Sequence, residues 1–382
     1  MTDDSQLKAI ITSRIATHGR ITFASFMEAC LYEPGVGYYT SPGRKVGTAE
    51  GDFYTSISVH AAFGRVIARE IAQMWRCMDS PASFTLVECG AGNGRLACDI
   101  MDFLAEREPA LYAGLGLVLV EREPSLEAAQ AGLLAAHRER VRWLTPEEFS
   151  GGDFRFSGCL YSNELIDALP VHRVVQTESG LEEIYVTLKD GDLAEETGPL
   201  SDPAIGDYLE RLSIRLHPGQ QAEINLAGPA WLATAACALE RGFILTIDYG
   251  YPAQELYTPR RSRGTLLCYY RHQVEENPYI RLGQQDITSH VDFTTLMQRG
   301  EELGLQPVWF GEQYRFLLAA GIVEEIEEAE RSDAPEEEKL RLRMTLKRLI
   351  MPEGGMGDTF RVLIQSRGVA EPRLLCRRGI GG

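Results

Sequence analysis

Leu86-Val87-Glu88-Cys89-Gly90-Ala91-Gly92-Asn93-Gly94 decides the fold: an apolar strand runs into three alternating glycines and then opens a helix at Arg95. Glycine lacks a Cβ, so the backbone here can turn with positive φ and come close to a ligand. A helix starting directly behind the loop points free amides at the same spot. Such a loop is weak evidence by itself, because plain turns share its composition. Arg95 stands where the dinucleotide fingerprint G-x-G-x-x-G needs its last glycine, which disfavours a nicotinamide-dependent dehydrogenase. An acid, Glu88, lies two positions before the first glycine.

Strands and helices alternate outward from this loop. Phe84–Cys89, Leu115–Glu121, Val141–Leu144 and Cys159–Ser162 read as strands, with helices at Arg95–Arg107 and Pro124–His137 between them. After an interval come a helix at Ala230–Arg241, a strand at Phe243–Asp248 and a helix at Phe293–Leu303. Strands at Pro307–Phe310 and Phe360–Gln365 close the series. The pattern predicts an α/β fold, a doubly wound, Rossmann-like seven-strand sheet with an inverted edge strand. The second strand ends in Glu121, whose carboxylate can accept both ribose hydroxyls of an adenosine ligand at the sheet edge where ligands bind; a solvated charge at a strand end is the plain alternative. After the third strand, Thr145, Pro146 and Glu148 read as an N-cap, first helical residue and capping box rather than as an adenine pocket.

The expected organisation is an N-terminal helical and Gly/Tyr-rich region over 1–80 that covers the cofactor, and a core of 81–170, 229–319 and 353–368. A β-containing substrate region is inserted at 171–228, and an acidic helical elaboration spans 320–352. Between Gly321 and Leu340, nine acids meet Arg331 and Lys339, so −9 + 2 = −7 of the chain's −17 sits there, which reads as a solvated face.

Across 382 residues, 55 Asp and Glu face 38 Lys and Arg, an excess that argues against a protein coating nucleic acid. No apolar run approaches the length of a membrane span, so no membrane insertion is expected. The eight cysteines form no C-x-x-C pair and the seven histidines no H-x3-H pair, which suits neither a disulfide framework nor a metal site. Met1-Thr2-Asp3-Asp4 lacks the features of a signal or transit peptide, and with reduced cysteines a cytoplasmic protein is expected.

The fourth strand leads into Tyr161-Ser162-Asn163-Glu164-Leu165-Ile166-Asp167-Ala168-Leu169-Pro170. Glu164 and Asp167 are three apart, which on a helical turn puts both carboxylates on one face. Two carboxylates can grip a planar guanidinium by bidentate hydrogen bonds and offset the charge that builds on it. Acids complementing a helix N-terminus explain the spacing equally well. His172 and His290 read as packing or hydrogen-bonding residues. Asp248, at the tip of the fifth strand, is the better candidate for a substrate pocket, with Tyr249 as an aromatic wall.

The chain resembles the MidA family of S-adenosyl-L-methionine (SAM) dependent protein arginine methyltransferases, linked in mitochondria to respiratory complex I assembly. Besides the glycine loop, the resemblance is carried by Glu33-Pro34-Gly35-Val36-Gly37-Tyr38-Tyr39, Gly51-Asp52-Phe53-Tyr54-Thr55-Ser56 and Ser162–Arg173. Ile247-Asp248-Tyr249-Gly250-Tyr251, Arg263-Gly264-Thr265-Leu266 and Asp286–Phe293 continue it. The resemblance implies a seven-strand methyltransferase core, SAM as cofactor and S-adenosyl-L-homocysteine as product. It implies cofactor contacts from Glu88, Gly90, Ala91, Gly92, Gly94 and Glu121, and from Asp52, Phe53 and Thr55. Asn163, Glu164, Asp167 and Asp248 become the catalytic candidates. The implied partner is a protein presenting an arginine, a respiratory NADH dehydrogenase subunit; self-association stays open. The rival is a chaperone-like assembly protein that keeps the fold without catalysis.

Overall fold

The computed structural model describes residues 3–41, 61–271, 273–331 and 359–377, with isolated positions between 335 and 349. It divides into two compact units: Met1–Phe53, Ile166–Trp231 and Tyr249–Leu296 form one, and Tyr54–Leu165, Leu232–Asp248 and Met297–Gly382 the other.

The second unit is built on the expected sheet. Its strands are β1 (Phe84–Cys89), β2 (Leu115–Val120), β3 (Val141–Leu144), β4 (Phe156–Asn163), β5 (Leu239–Tyr251), β6 (Gln306–Glu312) and β7 (Phe360–Arg367). The spatial order is β6-β7-β5-β4-β1-β2-β3. β1 runs parallel to β2 and β4, β2 to β3, and β4 to β5, while edge strand β6 is antiparallel to β7. Consecutive residues such as Leu86 and Val87 are both fully buried, as a strand covered on both faces requires. The chain order reverses beside β1, and this placement brings the β1 loop and the ends of β2 and β4 to the ligand edge of the sheet.

Helix Ala62–Cys77 buries Phe63, Val66, Ile67, Ile71 and Met74, a stripe at helical spacing. From its other side Arg65 and Arg69 grip Glu325 of helix Ile322–Arg331 at 2.6 and 2.7 Å. Glu325 is buried, so one member of the acidic run is a structural anchor rather than part of a solvated face. The helix expected over Pro124–His137 is broken into 3-10 turns at Pro124–Leu126 and Ala135–Arg140 around a short α-helix, Glu127–Leu133. His137 explains the second break: its ring bonds Asp102 and Tyr112 at 2.9 and 2.7 Å, contacts a continuous helix would not supply.

The first unit joins segments that the sequence reading kept apart. Strand Ile21–Thr22 pairs antiparallel with Leu181–Lys189 of the insertion, in a five-stranded sheet that includes His172–Gln176, Asp192–Gly198 and Gln221–Ile224. Helices Asp3–His18 and Phe23–Tyr32 share one core with Val171, Val186, Cys268 and Ile287. Cys268 lies in a separate three-stranded sheet of Leu267–Tyr270, Gln273–Glu275 and Asp286–Thr288. No helix among the described residues is long and apolar enough to cross a membrane.

Candidate active site

At the C-terminal end of β1 the chain turns through Gly90, Gly92 and Gly94 with φ of 74, 52 and 79°. These are left-handed values that favour glycine. A Cβ on Gly90 would lie 2.9 Å from Leu165 Cδ1, and one on Gly94 3.0 Å from Gln130 Cγ. At Gly92 it would meet nothing within 4 Å among the described residues, so none of them packs against the middle of the loop. Gly94 then caps helix Arg95–Arg107.

Glu121 follows β2 and binds this loop. Its Oε2 accepts the Gly92 N–H at 2.9 Å, and its Oε1 accepts the N–H groups of Arg122 and Glu123 at 2.8 and 3.2 Å. Burial pushes its carboxyl above the ordinary range, opposed by these amides. Glu121 is therefore no solvated charge but a fixed carboxylate with an acceptor site left on Oε2.

Glu88 lies within β1, 2% exposed, and accepts the hydroxyl of Tyr161 of β4 at 3.1 Å. Burial raises its carboxyl to about 8, the Tyr161 bond lowering it and Glu121 adding to the rise. The capping box at Thr145 and Glu148 is present, with Pro146 in the first helical turn.

The helical turn expected after β4 does not form. Residues 164–170 are bends and turns, and Glu164 takes φ 52°, unusual for a residue with a Cβ. Two bonds to β5 explain this: the Glu164 N–H donates to Ile247 O at 3.0 Å, and the Leu165 N–H to Asp248 Oδ2 at 3.2 Å. Asp248, expected at the strand tip, lies fully buried within β5, which runs on to Tyr251. Asn163 Nδ2 donates to Glu164 Oε1 at 3.0 Å. Its buried Oδ1 meets no hydrogen-bond donor among the described residues.

Asp167 belongs to the first unit, buried, its carbonyl accepting the Ser289 N–H at 3.0 Å. There Tyr39 donates to Asp286 at 2.9 Å and stacks on Tyr32, whose hydroxyl donates to Ala168 O at 3.0 Å. Burial, then Asp286, holds the Tyr39 hydroxyl well above its ordinary pKa, with Asp167 contributing. His172 bonds Glu183 at 2.8 Å. His290 stacks on Tyr249 and lies tilted against Tyr251, burial lowering it to about 4. It lines a cavity of about 10 Å³ with Glu223, Thr265 and Tyr257. Asp52, Phe53 and Thr55 lie outside the described residues.

The roles of Tyr161 and Gln130 are not legible in the sequence. An isolated polar residue inside an apolar strand or a short helix carries no local signal for either partner.

A doubly wound sheet with an open glycine loop at β1 and a fixed acid behind β2 defines the nucleoside-binding class of α/β proteins. Residues 66–311 match the family model described as "Putative S-adenosyl-L-methionine-dependent methyltransferase", and the chain belongs to this family. It is similar to a mitochondrial protein arginine methyltransferase NDUFAF7 homolog of Caenorhabditis elegans, 28% identical, covering 83% of this chain and 77% of that one. Against the mitochondrial protein arginine methyltransferase NDUFAF7 of Danio rerio, identity is 26% and the coverage 92% and 84%. A crystal structure of a Burkholderia thailandensis protein bound to S-adenosyl-homocysteine is 32% identical, with a TM-score of 0.87 and coverage of 98% and 95%. The relatives named mitochondrial overturn the cytoplasmic compartment expected from the N-terminus and cysteines.

Proposed function

We propose that this SAM-dependent methyltransferase acts on a guanidinium nitrogen of an arginine in a protein. The observation that carries the cofactor side is the bond from the Gly92 N–H to Glu121 Oε2, which ties the open loop to the acid after β2. Gly90, Ala91, Gly92 and Gly94 would hold the methionine portion, Glu88 would lie beneath it, and Glu121 would take a ribose hydroxyl on Oε2. When bound, SAM supplies an electrophilic methyl whose bond to sulfur breaks as the bond to nitrogen forms, leaving S-adenosyl-L-homocysteine.

The protein's own residues position the acceptor. Asn163 Oδ1 has no donor among the described residues, and an unpaired buried acceptor is costly unless a ligand completes it. Glu164 would take the guanidinium on its carboxylate and offset its charge until it sheds a proton. Asp248 holds the Leu165 amide and with it the turn that carries Glu164. Arginine as the acceptor draws its support from the names of the relatives, and a respiratory NADH dehydrogenase subunit is the substrate the family resemblance implies. The insertion 171–228 is proposed as the substrate region.

Calorimetry with S-adenosyl-L-homocysteine tests the cofactor half. Saturable binding is expected, and a folded protein that shows none contradicts it. Glu164→Gln tests the catalytic half, with methyl transfer lost and binding kept.

A further inference from the structure

Gln130 is the single buried side chain of helix Glu127–Leu133, and it is fully buried. A glutamine there needs partners for both ends of its amide. Its Nε2 donates to Gly92 O at 2.7 Å, and its Oε1 accepts the indole N–H of Trp143 on β3, also at 2.7 Å. Its Cβ and Cγ fill the space a side chain at Gly94 would need. Gly92 is thus held on both sides, its N–H by Glu121 and its C=O by Gln130. A left-handed glycine has wide freedom in φ and ψ, so an unbraced loop would sample many shapes before a ligand selects one. Trp143 fixes which end of the amide faces the loop: the donor must point at Gly92 because the indole can only donate.

We propose that Gln130 is a positioning residue for the cofactor, setting the glycine loop in its binding shape with Trp143 orienting the amide. The proposal rests on SAM being held by that loop. The brace makes two demands of residue 130, a donor toward Gly92 and an acceptor toward Trp143. A neutral carboxylic acid satisfies both, whereas a carboxylate satisfies only the second and repels the Gly92 carbonyl.

The test is S-adenosyl-L-homocysteine affinity by calorimetry on the full chain, for wild type, Gln130→Glu and Trp143→Phe, at several pH values from 5.5 to 8 (about the span over which a buried carboxyl titrates). Gln130→Glu is expected to bind at least ten-fold more weakly than wild type at the top of this range. The ratio to wild type should shrink as the pH falls and the new side chain takes up a proton. Trp143→Phe should lose a smaller factor with no such pH trend, and in both variants KM for SAM should rise more than kcat falls. Wild type that fails to bind overturns the cofactor assignment itself. Wild type that binds, with variants within two-fold of it at every pH, overturns the brace alone. If Gln130→Glu does not fold, unchanged affinity in Trp143→Phe overturns the orienting role.

Discussion

The Tyr161 hydroxyl donates to Glu88 Oε2 at 3.1 Å across neighbouring strands, beneath the glycine loop. One hydroxyl does not compensate a buried carboxylate for its lost water, so Glu88 stays neutral up to a pH of about 8. The folded state then holds a proton that the unfolded chain releases above about 4.5, so stability falls as pH rises from about 4.5 to about 8. Glu88→Gln should flatten that slope in urea melts measured across this range. An unchanged slope would mean that Glu88 is already ionised in the folded protein.

Glu121 satisfies three backbone amides at once. Glu121→Ala should leave all three without this acceptor, costing about 2 kcal/mol or more by denaturant unfolding. The milder Glu121→Gln keeps one acceptor and should fold with a smaller loss, while weakening S-adenosyl-L-homocysteine at least ten-fold by calorimetry.

Glu164 holds a left-handed conformation next to a buried asparagine. Glycine takes that shape without strain, so Glu164→Gly should keep or raise stability, by up to about 1 kcal/mol. Methyl transfer should nevertheless be lost. Thermal melts and turnover on the same sample separate the two effects, and strain of this kind is kept where function needs it.

Glu325 ties Arg65 and Arg69 together far along the chain from the glycine loop. Glu325→Gln should destabilise by about 2 kcal/mol, because both guanidinium groups lose a charged partner. Affinity for S-adenosyl-L-homocysteine should stay within two-fold of wild type, which binding measured well below the melting temperature would check.

Elements defined by local composition could be read from the sequence. β1 and β3 match their expected ends residue for residue, because a turn glycine, Gly90, and a helix N-cap, Thr145, directly follow them. The Thr145 capping box was legible for the same reason. The turn at Glu164 was not, since the acceptors that fix it, Ile247 O and Asp248 Oδ2, lie more than eighty residues on. Likewise nothing near Ile21 announces its pairing with Val186. The cofactor side of the site was readable as spacing; the contacts that fix its shape, from Tyr161 and Gln130, come from residues distant in sequence.

Tandem mass spectrometry of a respiratory NADH dehydrogenase preparation, incubated with the purified protein and SAM, reads methyl transfer to protein arginine. A methyl group on an arginine side chain is expected, absent when Glu164→Gln replaces wild type although that variant still binds S-adenosyl-L-homocysteine. Arginines left unmodified by a folded, cofactor-binding wild type, or modified equally by the variant, would contradict it.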